Sequence, residues 1–136
     1  MPRASILSGL GIRSIYAACL LVATCTHALP LIQHGLYWDY GGEGRLTTIF
    51  WTSLAFADPL AAVMLFALPR VGLALTTAII VLDVLQNGVA FRSVILHPSW
   101  LHLWTYSAFG LQIAFLVFVL ATVRTAWSQL PSKPRS

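Results

Sequence analysis

The stretch LTTIFWTSLAFADPLAAVMLFALPRVGLALTTAIIVLDVLQNGVAF, residues 46–91, decides the fold. It contains two apolar runs, 46–68 and 71–91, each long enough to cross roughly 30 Å of hydrocarbon at about 1.5 Å per residue. Neither alternates with the period of two that a barrel strand shows, so both read as helices. Only Pro69 and Arg70 lie between them, which forces adjacent antiparallel packing. Two carboxylates, Asp58 and Asp83, interrupt the runs. A carboxylate deep in a membrane span costs at least a few kcal/mol unless it is paired, protonated or facing water, and this marks both as functional candidates.

Outward from this hairpin, residues 14–36 and 101–123 form two further runs of spanning length. With 58% hydrophobic and 9% charged residues and a mean hydropathy of +0.81, the chain has too little polar surface to clothe a soluble domain. The expected architecture is an all-α, integral membrane four-helix bundle with antiparallel up-down topology, a single domain over residues 1–136. A net charge of +4 hints at nucleic acid in a soluble protein. Here the basic residues stand singly at the ends of apolar runs rather than in a patch, so no nucleic-acid partner is expected.

Their distribution sets an orientation. Arg3, Arg13, Arg70, Arg124, Lys133 and Arg135 fall on the side shared by both termini and the second loop, against Arg45 and Arg92 opposite. Both termini are therefore expected in the cytoplasm of a bacterial inner (plasma) membrane. Trp100 and Trp104 would mark the outer interface, Tyr16 and Trp127 the inner one. The alternative for the first run is a cleaved signal peptide ending near Ala28, but apolar residues continue through Leu29, Leu31 and Ile32 to spanning length.

Counted from the outer helix ends, His27 lies about 10 Å deep, Asp83 about 12 Å, Gln112 about 16 Å and Asp58 about 18 Å. At about 100° per residue, Gly72, Thr76, Asp83, Gln86 and Asn87 share one arc of the third helix. Thr47, Trp51, Leu54, Asp58 and Ala61 share a stripe of the second. Tyr16, Leu20, Thr24, His27, Leu31 and His34 do so on the first, and Thr105, Ala108, Gln112 and Phe115 on the fourth. If these stripes face inward, His27, Asp58, Asp83, Gln86, Asn87 and Gln112 meet in one polar pocket in the outer half of the bilayer.

No Lys or Arg lies at that depth. The aspartates then need a retained proton, a proton passed to His27, or a bound cation. Pro59 adds to the demand, because it deprives the Ala55 carbonyl of its helical donor. The structural reading of the same residues is interhelical glue through Asp-Asn and Asp-Gln pairs, with close packing at Gly110-xxx-Ala114 and Ala57-xxx-Ala61.

Other chemistry finds little support. His27 and His34 with His97 and His102 gather toward the outer side, yet their spacing is unspecific for haem or metal, and no metal or cofactor is expected. Cys19 and Cys25 fall on different faces of one helix, too far apart for a disulfide. No phosphate loop or nucleophile triad is present.

Phe50-Trp51-Thr52-Ser53-Leu54, Asp58-Pro59-Leu60-Ala61-Ala62, Pro69-Arg70-Val71-Gly72-Leu73 and Asp83-Val84-Leu85-Gln86-Asn87 together resemble a pattern in small four-span bacterial membrane proteins. The resemblance covers the second and third helices, about a third of the chain. It implies the four-span fold and no particular activity. Small multidrug transporters are similar in length and helix number, but carry a glutamate in the first helix where this chain has His27.

The sequence thus points to a multi-pass protein that binds or translocates a proton, cation or small ligand. A second reading is an accessory or structural subunit whose polar slab specifies helix pairing. A third, less favoured, is an intramembrane enzyme acting on a lipid or isoprenoid, with an aspartate as general acid. The expected partners are the lipid bilayer, further copies of the chain or another membrane protein, and a small ligand or cation.

Overall fold

The computed structural model describes residues 8–97, 99 and 102–131. Arg3, Trp100, Lys133 and Arg135, used above for orientation, lie outside them. The described residues are all-helical: α1 (Gly9–His34), α2 (Arg45–Ala67), α3 (Pro69–Ala90), the single turn α4 (Arg92–Leu96) and α5 (Leu103–Ser128). The four long helices are each long and apolar enough to cross a membrane. Packing runs in a ring, α1 on α2, α2 on α3, α3 on α5, and α5 back on α1. The outside is apolar, as lipid requires: Ile32 is 80% exposed, Leu111 73% and Val89 73%.

The helix ends extend past the apolar runs. α1 begins at Gly9 because the Ser8 hydroxyl accepts the Gly11 amide at 3.1 Å, a side-chain cap that carries the helix through Arg13 and Ser14. α5 runs on through Arg124 to Ser128, and the Gln129 side chain reaches back to the Gly9 amide. Arg70 donates to the Pro131 carbonyl at 2.8 Å. The start of α1, the α2–α3 turn and the end of α5 therefore share one end of the bundle, the termini end. The 35–44 loop and α4 form the opposite loop end.

A single residue, Leu68, separates α2 from α3, with Pro69 at the first position of α3 where its missing N–H costs least. Two consequences of that turn are met by named groups. Pro69 cannot donate to the Leu65 carbonyl, and the Arg13 guanidinium does so instead at 2.9 Å. One turn later Gly72 lies so close to α2 that an added Cβ would fall 2.3 Å from the Leu65 nitrogen. Only glycine fits there.

Buried apolar residues crowd toward the termini end: Ile12, Tyr16, Leu20, Leu65, Leu73 and Val119 are at most 1% exposed. Tyr16 is the main correction to the expected layout. It is not an interfacial anchor but a core residue, its hydroxyl 3.1 Å from the Val119 carbonyl and 2.8 Å from the Thr122 hydroxyl, its ring edge-on to Phe115 and Phe118. Gly110 and Ala114 also differ from expectation. Both are exposed, with nothing within 4 Å of a Cβ built on Gly110, so the close helix approach in this fold is at Gly72 rather than there.

At the loop end, Asp39 accepts the Gly41 amide at 3.1 Å in an Asx turn, and Gly41 and Gly42 take φ values of 82° and 94° that suit glycine. Rings then connect in sequence. His34 stacks on Trp38 at 4.2 Å, Trp38 lies 4.6 Å from Tyr40, and Tyr40 lies 5.2 Å from Trp51. Trp51 meets Phe91, and Phe91 meets Phe109 of α5. The loop is thereby tied by aromatic contacts to three helices.

Candidate polar site within the bundle

The polar residues occupy the middle and loop-end half of the bundle. On α3, Gly72, Thr76, Asp83 and Asn87 are all buried, as one helical face requires. Gln86, at the edge of that arc, is half-buried and turns away to donate to the Thr47 hydroxyl at 2.8 Å. On α2, Leu54, Asp58, Ala61 and Leu65 form the buried stripe.

Asn87 is the hub. Its amide nitrogen donates to Asp83 Oδ1 at 2.9 Å, one turn back on its own helix, and to Gln112 Oε1 on α5 at 2.8 Å. Its oxygen accepts the Trp51 indole N–H from α2 at 2.7 Å. One side chain thus joins α2, α3 and α5 with both donors and its acceptor in use. Trp51 belongs to this cluster, although the pocket expected from sequence did not include it. The signal was available, since a tryptophan N–H inside a bilayer must find an acceptor and Trp51 shares a stripe with Asp58.

Asp58 is satisfied differently. It is 1% exposed, and its Oδ2 has no hydrogen-bond partner. His27 Nε2 on α1 stands 3.9 Å away, too far for a hydrogen bond but close enough for electrostatic attraction if the imidazole is charged. Asp83 is within electrostatic reach of Asp58. Helix direction explains this convergence. Side chains lean toward their own helix N-terminus, so His27 on α1 and Asp83 on α3 lean to the termini end, while Asp58 on antiparallel α2 leans to the loop end. Residues that differ in depth by helix counting are brought together. Among the described residues, the hydroxyl of Thr76, fully buried on α3, is a further buried side-chain atom without a hydrogen-bond partner.

Two of the fixed cations are committed elsewhere. Arg13 serves Leu65 and Gly9 at the termini end, and Arg70 serves Pro131. Among the described residues, the ion pair formed by either aspartate is that with His27. No three His, Cys, Asp or Glu side chains among the described residues lie close enough to share a metal ion. His34 is exposed and stacked on Trp38, and His102 lies edge-on to Tyr106.

The arrangement provides a buried carboxylate acceptor lacking a donor, a second carboxylate nearby whose amide partner is fixed, and an imidazole poised beside the first. A carboxyl and an imidazole in this arrangement are groups between which a proton can be shared. Comparison with known proteins finds no family model, curated protein or solved structure that matches this chain, so the site rests on its own residues.

Proposed function

We propose that this chain is a multi-pass protein of the bacterial inner membrane, both termini cytoplasmic, whose His27–Asp58–Asp83 group binds or translocates a proton, cation or small ligand. The observation that supports this reading is the unpartnered Oδ2 of Asp58, 1% exposed. A purely structural carboxylate is expected to be capped, because an uncompensated acceptor in hydrocarbon loses its solvation without return. Asp83 shows what such capping looks like, and Asp58 lacks it. Asn87 and Gln112 complete the pocket as its frame, and Gln86, bonded to Thr47, stands outside it.

The bonding around Asn87 favours a second role for that part of the slab. A hub that joins three helices specifies their pairing, which is the property an accessory or structural subunit needs. The two roles divide between residues: Asn87 and Gln112 hold the bundle, and Asp58 with His27 meets the ligand.

Trp51 offers the test, because its indole is coupled to Asp83 through Asn87. In purified protein, tryptophan emission is expected to change as the carboxyl group gains its proton, and Trp51→Phe should remove the change. Asp58→Asn and Asp83→Asn should each keep the helical circular dichroism while abolishing the response. Loss of both variants from the membrane would make the aspartates structural. A parent protein whose emission ignores pH would overturn proton binding.

A further inference from the structure

The seam between α1 and α2 carries a feature that the polar site does not use. A groove of about 280 Å³ opens on the bilayer face there, lined by Ala28, Leu31 and Ile32 of α1, Leu36 just past its end, and Ala55 and Phe56 of α2. Leu31 is one turn beyond His27, and Ala55 is one turn before Asp58, both toward the loop end. The inner wall of the groove is thus the turn next to the His27–Asp58 pair. Its rim faces lipid, with Ile32 80% and Phe56 63% exposed.

Hydrogen-bonding capacity near this wall is one-sided. The Ala55 carbonyl lacks its helical donor, because position 59 is proline. Asp58 Oδ2 is unpartnered, and an uncharged His27 presents one more acceptor nitrogen. Two or three acceptors on an acidic site, with no Lys or Arg paired to them among the described residues, call for a cation carrying several donors. An ammonium has three, whereas an alcohol has one. The groove lies just below the roughly 300–1,000 Å³ of typical ligand pockets, and that size suits one alkyl chain better than a bulky ring system.

We propose that the α1–α2 seam is a lateral binding site for a lipophilic amine drawn from the bilayer, its chain in the groove and its ammonium on Asp58. The assignment rests on reading Asp58 as a ligand-binding group, and it names the ligand class and the side of approach. Anionic amphiphiles are repelled by the same carboxylates. A larger groove of about 530 Å³ between α3 and α5, rimmed by Arg70 and Trp127, has the opposite charge and is the natural internal control.

Dodecylamine and dodecanol, each carrying a photoreactive diazirine on the chain, distinguish these outcomes on the full protein in lipid nanodiscs. The amine is expected to label peptides containing Ala28–Leu36 and Ala55–Phe56 about tenfold more than the alcohol does, the ratio that one charge-assisted contact supports. Asp58→Asn should reduce amine labelling to the level of the alcohol. Ala55→Leu, which fills the groove from a half-buried position, should lower labelling by both probes while the tryptophan response to protons persists. It also carries the test if Asp58→Asn does not fold. Equal labelling by the two probes, amine labelling centred on the Arg70–Trp127 groove, or amine labelling indifferent to Ala55→Leu would each overturn the lateral site. If the proton response survives such a result, the polar site stands without its lipid-side ligand. If the response is absent as well, both readings fail.

Discussion

The two ends of this bundle are held together by different physics. In the termini-end half, buried aliphatic side chains, the buried ring of Tyr16 and the close approach at Gly72 exclude almost everything else, and polar demands are met by backbone-directed bonds from Arg13, Arg70 and Tyr16. In the loop-end half, buried aliphatic residues thin out to Leu54, with Ile79 and Ile80 at mid-height, and the helices are joined through Asn87, Trp51, Gln112 and a train of aromatic contacts. Between them sits Asp58, at the boundary where packing ends and polar bridging begins. Dense packing gives one arrangement with little tolerance. A hydrogen-bonded half can loosen one bridge at a time, and the proposed ligand site lies on that side.

This contrast can be broken experimentally. The largest effect belongs to Gly72→Ala, since the new methyl would overlap backbone that cannot move aside. We expect a loss of about 3 kcal/mol or more, the upper end of overpacking costs, read by unfolding in mixed micelles. Gly88→Ala, whose methyl meets Phe109 at an ordinary 3.8 Å, is the control and should change little. Next comes Asn87→Leu, which unpairs Trp51 and Gln112 and strips Asp83 of its partner. Two interhelical bonds at about 0.6 kcal/mol each, with the bond to Asp83 inside α3 at about 0.5–1 kcal/mol, predict a loss of about 2 kcal/mol, with faster hydrogen exchange confined to the loop-end half. Tyr16→Phe should cost about 1 kcal/mol, because the ring stays packed and only the hydroxyl's bonds to Val119 and Thr122 are lost. If Asn87→Leu proves costlier than Gly72→Ala, the polar half is the true keystone. If Tyr16→Phe matches Asn87→Leu, the termini half depends on polar bonds as much as its opposite.

Much of the architecture was legible in the sequence, because span length and a turn of only Pro69 and Arg70 leave few alternatives; the structure shortens that turn to Leu68 alone. The α3 face was equally readable: a 3.6-residue period places Gly72, Thr76, Asp83 and Asn87 together whatever surrounds them. Gln86 shows the limit of that argument, since at the edge of an arc the choice between the interior and Thr47 depends on the neighbouring helix. Tyr16 shows another. An amphipathic ring near a helix end suits a membrane interface or a core equally well, and the decision lies with Val119 and Thr122, more than a hundred residues away. Helix ends were misjudged where charged residues looked like flanks, because neither the Ser8 cap nor the reach of Arg13 to Leu65 shows in hydropathy. The 3.9 Å approach of His27 to Asp58 depends on opposed side-chain tilt, which depth counting ignores.

The single residue between α2 and α3 has a mechanical consequence. With Leu68 alone as connector and Gly72 seated against Leu65, the two helices have no hinge with which to slide or swivel past each other. They form a stiff two-pronged fork, with Asp58 on one prong and Asp83 on the other, and any tilt carries both carboxylates together. α1 enters α2 through ten residues, 35–44, and α5 is reached from α3 through twelve, 91–102. Relative motion is therefore left to α1 and α5, and what changes as the bundle breathes is the distance of His27 and Gln112 from an acidic fork that itself stays rigid.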